Sequence, residues 1–166
     1  MEPDGARCLN DLSTILWRER QLLELLLFKL EEEQLLLATG RVRWLAQAAR
    51  EVESVLDAIR MAEVGRAAEV DAVAAELGLA PGASLHELVA AAPAPWSAIL
   101  ADHRRAFVGV TEEIMGVAQS NRELLAKGQS AVRDALRWVE GAAVDDYGRG
   151  GSRSRRSRAL LVDEAL

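Results

Sequence analysis

The chain has 166 residues, half of them hydrophobic but only 4% aromatic, with a formal net charge of −6. An excess of Leu, Ala and Val with so few aromatic side chains suits helix packing better than a β-sandwich. The single cysteine, Cys8, excludes an intramolecular disulfide framework and argues against a cysteine-based zinc site. No apolar run reaches the ~18 residues that a membrane span requires, because Glu24 and Lys29 interrupt the richest one. Charge is unevenly divided: residues 1–148 carry −9, residues 149–158 carry +5 as five arginines, and the last eight carry −2. A body this acidic should repel nucleic acid.

Residues 1–8 hold acids and no following apolar core, so they read as a flexible N-terminus without a secretion signal. A helical domain is expected over 9–141. Its first helix is predicted over 10–39, with Asn10 or Asp11 as cap and Gly40 as stop. Leu9, Leu12, Leu16, Leu23, Leu26, Leu30 and Leu37 step by threes and fours, with Glu19 and Glu33 in the two missing places. A second row, Ile15, Leu22, Leu25, Phe28, Leu35 and Leu36, makes the face wider than a two-stranded seam.

The second helix, over 41–77, should turn back antiparallel. Its stripe runs through Leu45, Ala49, Val52, Leu56, Ile59, Val70, Val73 and Leu77. Glu63 and Arg66 interrupt it and are expected to face solvent. Gly78 and Pro81-Gly82 then open an insert, where Ser84 followed by Glu87 is a capping-box signature for a short helix over 85–91. Pro93 and Pro95 lead into the last helix, 95–140. Its apolar residues Phe107, Val110, Ile114, Val117, Leu124, Leu125, Val132, Leu136 and Val139 fall near one stripe over roughly 70 Å. Residues 142–166, with AVDDYGRGG, SRSRRSR and ALLVDEAL, read as a flexible tail. The expected fold class is therefore all-α: an elongated antiparallel bundle or coiled coil of three long helices plus one short helix.

Little in the chain points to catalysis. His86 and His103 lack metal-site spacing, and His103, among Asp102, Arg104 and Arg105, reads as a surface or rim residue. GRGG lacks the lysine and Ser/Thr of a phosphate-binding loop. Glu112-Glu113 and Glu31–Glu33 read as solvated helix faces. No catalytic residue, cofactor or metal site is expected, and an enzyme is improbable. Core packing is the expected role of Trp17, Trp44, Trp96 and Trp138, with Trp138 also placed to anchor a partner. The arginine-serine run lacks interleaved aromatics and reads as a solubilising tail rather than a nucleic-acid site.

One constellation is more specific. Asn121, the pair Leu124-Leu125, Gly128-Gln129, further helix, and then Tyr147-Gly148 with Gly151 follow one another in order. Together with the leucine-rich helical hairpin upstream, this resembles the FlgN family of flagellar type III export chaperones over most of residues 9–151. The Pro-rich insert and the Arg-Ser run depart from the family pattern. The resemblance implies a cytoplasmic chaperone that binds the C-terminal helix of hook-associated proteins of the FlgK/FlgL type and delivers them to the export gate protein FlhA. It also implies no cofactor and no insertion in the membrane. Leu124, Leu125, Val132, Leu136 and Val139 are the candidate client-binding residues, by the helix-in-groove mode. Tyr147 and Gly148 are the candidate export-gate docking residues, against the alternative that Tyr147 folds back on the helix end. The competing reading is a structural or adaptor coiled coil that self-associates through its first two helices.

Overall fold

A computed structural model describes the backbone of residues 3–149 and the side chains of residues 5–139. The described chain is all-α, with α1 over Pro3–Ala38, α2 over Leu45–Glu76, α3 over Leu85–Ala91 and α4 over Trp96–Arg149. A single 3-10 turn, Val42–Trp44, joins α1 to α2. The chain divides into two units, Met1–Leu124 and Leu125–Leu166.

Three helix ends differ from the sequence expectation: α2 begins at Leu45 rather than at 41, because the 3-10 turn takes up the residues before it. α1 begins at Pro3 rather than near Asn10; proline fits a first turn, where its missing N–H would have had no partner. Asn10 and Asp11 are thus interior, exposed positions, and Asn10 offers its carbonyl to the Thr14 hydroxyl at 3.0 Å. α4 continues past Gly141 to Arg149, since one glycine costs a helix only about 1 kcal/mol and no proline follows it. The remainder of the expected tail, residues 150–166, lies outside the described residues.

The stops after α1 and α2 share one device. Gly40 (φ +67°) and Gly78 (φ +71°) take the left-handed conformation that a side chain disfavours. The next amide, of Arg41 or Leu79, then reaches back to Leu36 O at 2.9 Å or Ala74 O at 2.8 Å. Each closure satisfies carbonyls that a helix end would leave open.

Within the first unit, α1 and α2 pack antiparallel. Leu9, Leu12 and Leu16 of α1 are buried with Val73 and Ala74 of α2, Leu88 of α3, Ala92 just after α3, and Leu100 of α4. Farther along, Leu26 and Leu30 are buried with Val55 and Ile59, flanked by Ile114, Val117 and Ala118 of α4. α4 here runs parallel to α1 at a constant offset: Ser13 meets His103 and Leu30 meets Asn121. Leucines spaced by threes and fours therefore supply both cores, as the sequence pattern predicts.

α3 closes the first of these cores. Its capping box is complete: Ser84 Oγ accepts from Glu87 N at 3.3 Å, and Ser84 N donates to the Glu87 carboxylate at 2.7 Å. That bonding holds the Glu87 carboxyl below the ordinary carboxylate range. Asp71 of α2 accepts from Gly82 N at 2.7 Å and ties the turn before it. With the cap in place, Leu88 is delivered fully buried. Ser84→Ala is expected to cost about 1 kcal/mol, read as a fall of about 2–4 °C in the thermal midpoint. An unchanged midpoint would show that Leu88 burial, rather than the cap, holds α3.

A polar layer separates the two apolar clusters, and here the structure corrects two expectations, for Arg66 and for His103. Glu19, in a missing place of the leucine row, is only 4% exposed. Arg66 does not point away into solvent: its Nε lies 3.1 Å from Glu19 Oε2, an ion pair with the side chains 37% and 5% exposed. Glu63 does remain exposed. His103 is no rim residue either; it is buried, shares a 3.2 Å hydrogen bond with the Ser13 hydroxyl, and meets the Trp17 ring edge-on at 6.0 Å. Burial lifts the Glu19 carboxyl above its ordinary range, against the pull of Arg66 and with a smaller push from Glu63. Burial also holds His103 below its ordinary value, assisted by Arg20 and opposed by Asp102.

The tryptophans are corrected as well. Only Trp96 packs against a core cluster, whereas Trp17, Trp44 and Trp138 are exposed. Arg20 and Arg43 lie 5.1 Å from the ring centroids of Trp17 and Trp44, so each of these half-exposed indoles has a cation against its ring.

Candidate functional site

The candidate face is built on the distal part of α4. Leu125, Val132, Leu136 and Val139 are separated by seven, four and three residues. At 100° per residue they fall within an arc of about 60°. All four are 41–61% exposed, which leaves a narrow apolar stripe along one side of the helix. Gly128, where an added Cβ would meet open space, and Ala135 border it with small groups. Arg122 and Arg133 flank the other border, by the same angular count. Such a stripe cannot be satisfied within its own helix and is complementary to another amphipathic helix.

Not every candidate residue joins it. Leu124 lies about 100° away around the helix; it is half-buried and closes the first unit. Trp138 is exposed, but about 130° from the stripe's centre. Tyr147 and Gly148 occupy the last turns of α4, and their side chains lie outside the described residues.

Asn121 anchors the helix just before the stripe. It is 3% exposed, and its amide donates to Leu30 O at 2.9 Å and to the Glu33 carboxylate at 3.1 Å. Glu33, the second acid in the leucine row, therefore has a defined partner on α4. An amide pairing with one carbonyl and one carboxylate tolerates no slip of α4 along α1, as a buried asparagine does in a coiled coil.

Sequence reasoning missed a second apolar feature. A groove of about 420 Å³ lies between α1 and α2, lined by Ile15, Leu22, Ala58, Met61, Ala62 and Gly65 with Arg18 at its edge. The signal was present as small residues three or four apart on α2, but it passes for an ordinary packing face. Among the described residues, no group of three His, Cys, Asp or Glu is placed to hold a metal ion, and no helix is long and apolar enough to cross a membrane.

A family model described as FlgN protein matches residues 6–155, nearly the whole chain and all of α4. No curated protein and no solved structure matches at a significant level.

Proposed function

Because the chain belongs to the FlgN family of flagellar export chaperones, we propose that the distal stripe of α4 is where it receives its client, the C-terminal helix of a hook-associated protein of the FlgK/FlgL type. The observation that carries this reading is the exposure of Leu125, Val132, Leu136 and Val139 along one helix face. A junction protein's terminal helix has an apolar stripe that stays uncovered until assembly. Seating it on a second stripe removes both from water, at about 25 cal/mol for each Å² of apolar surface covered. Capture by this route keeps the client soluble in the cytoplasm and postpones its assembly.

Tyr147 and Gly148 are the proposed contact to the export gate protein FlhA, at the far end of the same helix. Tyr147→Ala is expected to lower gate binding by tenfold or more, the loss typical of a buried aromatic anchor, with client capture unchanged. Binding assays of the purified gate domain against the chaperone–client complex check it; equal affinity for both forms would remove Tyr147 from the docking site.

The proposed function itself is tested by co-purifying the full chain with the C-terminal segment of a hook-associated protein and determining the mass in solution. A stoichiometric complex is expected. A tight homo-oligomer that ignores the segment would instead support a self-associating coiled coil.

A further inference from the structure

We infer that the turn between α1 and α2 is a docking tip for an anionic lipid surface, a role separate from client capture. Three apolar side chains are exposed there: Leu35, Val42 and Trp44, at 65%, 72% and 49%. They lie in a stretch, residues 34–50, that contains three arginines, Arg41, Arg43 and Arg50, and no acid. This local positive charge stands out in a body that carries −9 over residues 1–148. Arg41 and Arg43 are exposed and make no ion pair among the described residues.

The chemistry selects the partner. Indole and aliphatic groups beside unpaired guanidinium groups match the boundary between acyl chains and headgroups, where tryptophan is favoured and arginine reaches up to phosphate. Zwitterionic lipid would satisfy the apolar groups alone; the arginines need negative charge. Approach must be tip first. The acidic remainder of the chain is repelled by the same surface, but that repulsion fades beyond a Debye length of about 8 Å at physiological salt. The turn is also preorganised. Gly40 at φ +67°, the Arg41-to-Leu36 closure and the 3-10 turn fix its backbone, and Arg43 already lies 5.1 Å from the Trp44 ring centroid. Little ordering remains for the surface to impose. With three cations and three apolar groups, binding is reversible and lies on the surface rather than through it.

The test is co-sedimentation of the full chain with vesicles of phosphatidylcholine alone or mixed with phosphatidylglycerol, at low and high salt. Because the arginines of 149–158 could also attract anionic lipid, the same measurement is made with Arg149, Arg153, Arg155, Arg156 and Arg158 changed to Gln. Binding only to the anionic vesicles, weakening with salt, is expected in both backgrounds. Arg41→Glu with Arg43→Glu should lower partition by about tenfold or more in each, and Trp44→Ser by several-fold, with helical content by circular dichroism unchanged. Equal partition to neutral vesicles, or a tip variant that binds like its parent in the tail-neutralised background, would overturn the inference and leave the tip to a protein partner.

Discussion

Leu136→Glu is expected to abolish capture of the client helix while leaving the chain folded. Leu136 is 57% exposed in the middle of the α4 stripe, with Val132 one turn before it and Val139 one turn after. A carboxylate here remains hydrated in the free chaperone, so stability should move by no more than about 0.5 kcal/mol. In the complex the same carboxylate would be enclosed by two apolar helices. Burying it unpaired, together with the lost leucine contact, should cost at least 2–4 kcal/mol, a loss of about 30- to 1,000-fold in affinity. Titration calorimetry with the client segment, alongside circular dichroism of the free variant, separates the two effects. Leu12→Glu serves as the contrast: Leu12 is fully buried, and the charge there should unfold the bundle. Were Leu136→Glu to unfold the chain too, Leu136 would belong to a core. Were it to bind normally, the groove beside Met61 would become the next place to seek the client.

Much of this fold could be read from the residues. The step of leucines from Leu9 to Leu30 places five of them in two buried clusters, because a helix with one apolar face has few ways to satisfy it. Gly40, Gly78 and Ser84 mark helix ends by local chemistry that needs no tertiary information. What periodicity does not encode is which helix an apolar row meets, or whether it meets one at all. Leu26 and Leu136 occupy equivalent positions in their rows, yet one is buried and the other exposed. That difference, rather than the spacing, singles out the candidate site. Trp17 and Trp44 show the same limit: both fall in predicted helices with apolar faces yet stay exposed, each with one arginine against its ring. Glu19 was visible as a polar residue in an apolar row, whereas His103 stood among charged neighbours; each is buried with a partner from a different helix, Arg66 of α2 and Ser13 of α1. The resemblance carried by Asn121, Leu124-Leu125 and Tyr147-Gly148 supplied what spacing could not, the direction in which to look for a client.

The Glu19–Arg66 layer should set how the stability of the fold responds to pH. Arg66→Ala would leave a carboxylate that is 4% exposed without its cation. A sealed pair broken in this way costs about 3–5 kcal/mol. Arg66 is about one-third exposed, and water at that rim softens the loss, so about 2 kcal/mol is expected at neutral pH. Glu19→Leu should act in the opposite direction. It extends the leucine row, removes the buried charge and frees Arg66 to turn outward toward Glu63, a change expected to be neutral or stabilising by about 1–2 kcal/mol. The double variant should then resemble Glu19→Leu alone, because an arginine without a buried acid to neutralise contributes little; a cycle of the four chains measures this coupling. The pH dependence supplies a second signature. Burial raises the Glu19 carboxyl in the folded state above its ordinary value of 4.5, so its cost is complete above the raised value and disappears as pH falls toward 4.5. The advantage of Glu19→Leu over the parent should shrink across that window, and so should the penalty of Arg66→Ala. His103 works the other way: held below 6.5 in the folded state, it supports the fold above 6.5 and withdraws that support as pH falls toward its lowered value. Glu19→Leu should therefore lose stability more steeply on acidification than the parent, whose Glu19 gains a proton as His103 is forced to accept one. Urea unfolding of the four chains from neutral pH to below 5 measures all of this, and parallel curves for parent and Glu19→Leu would mean that Glu19 is hydrated in the fold rather than buried.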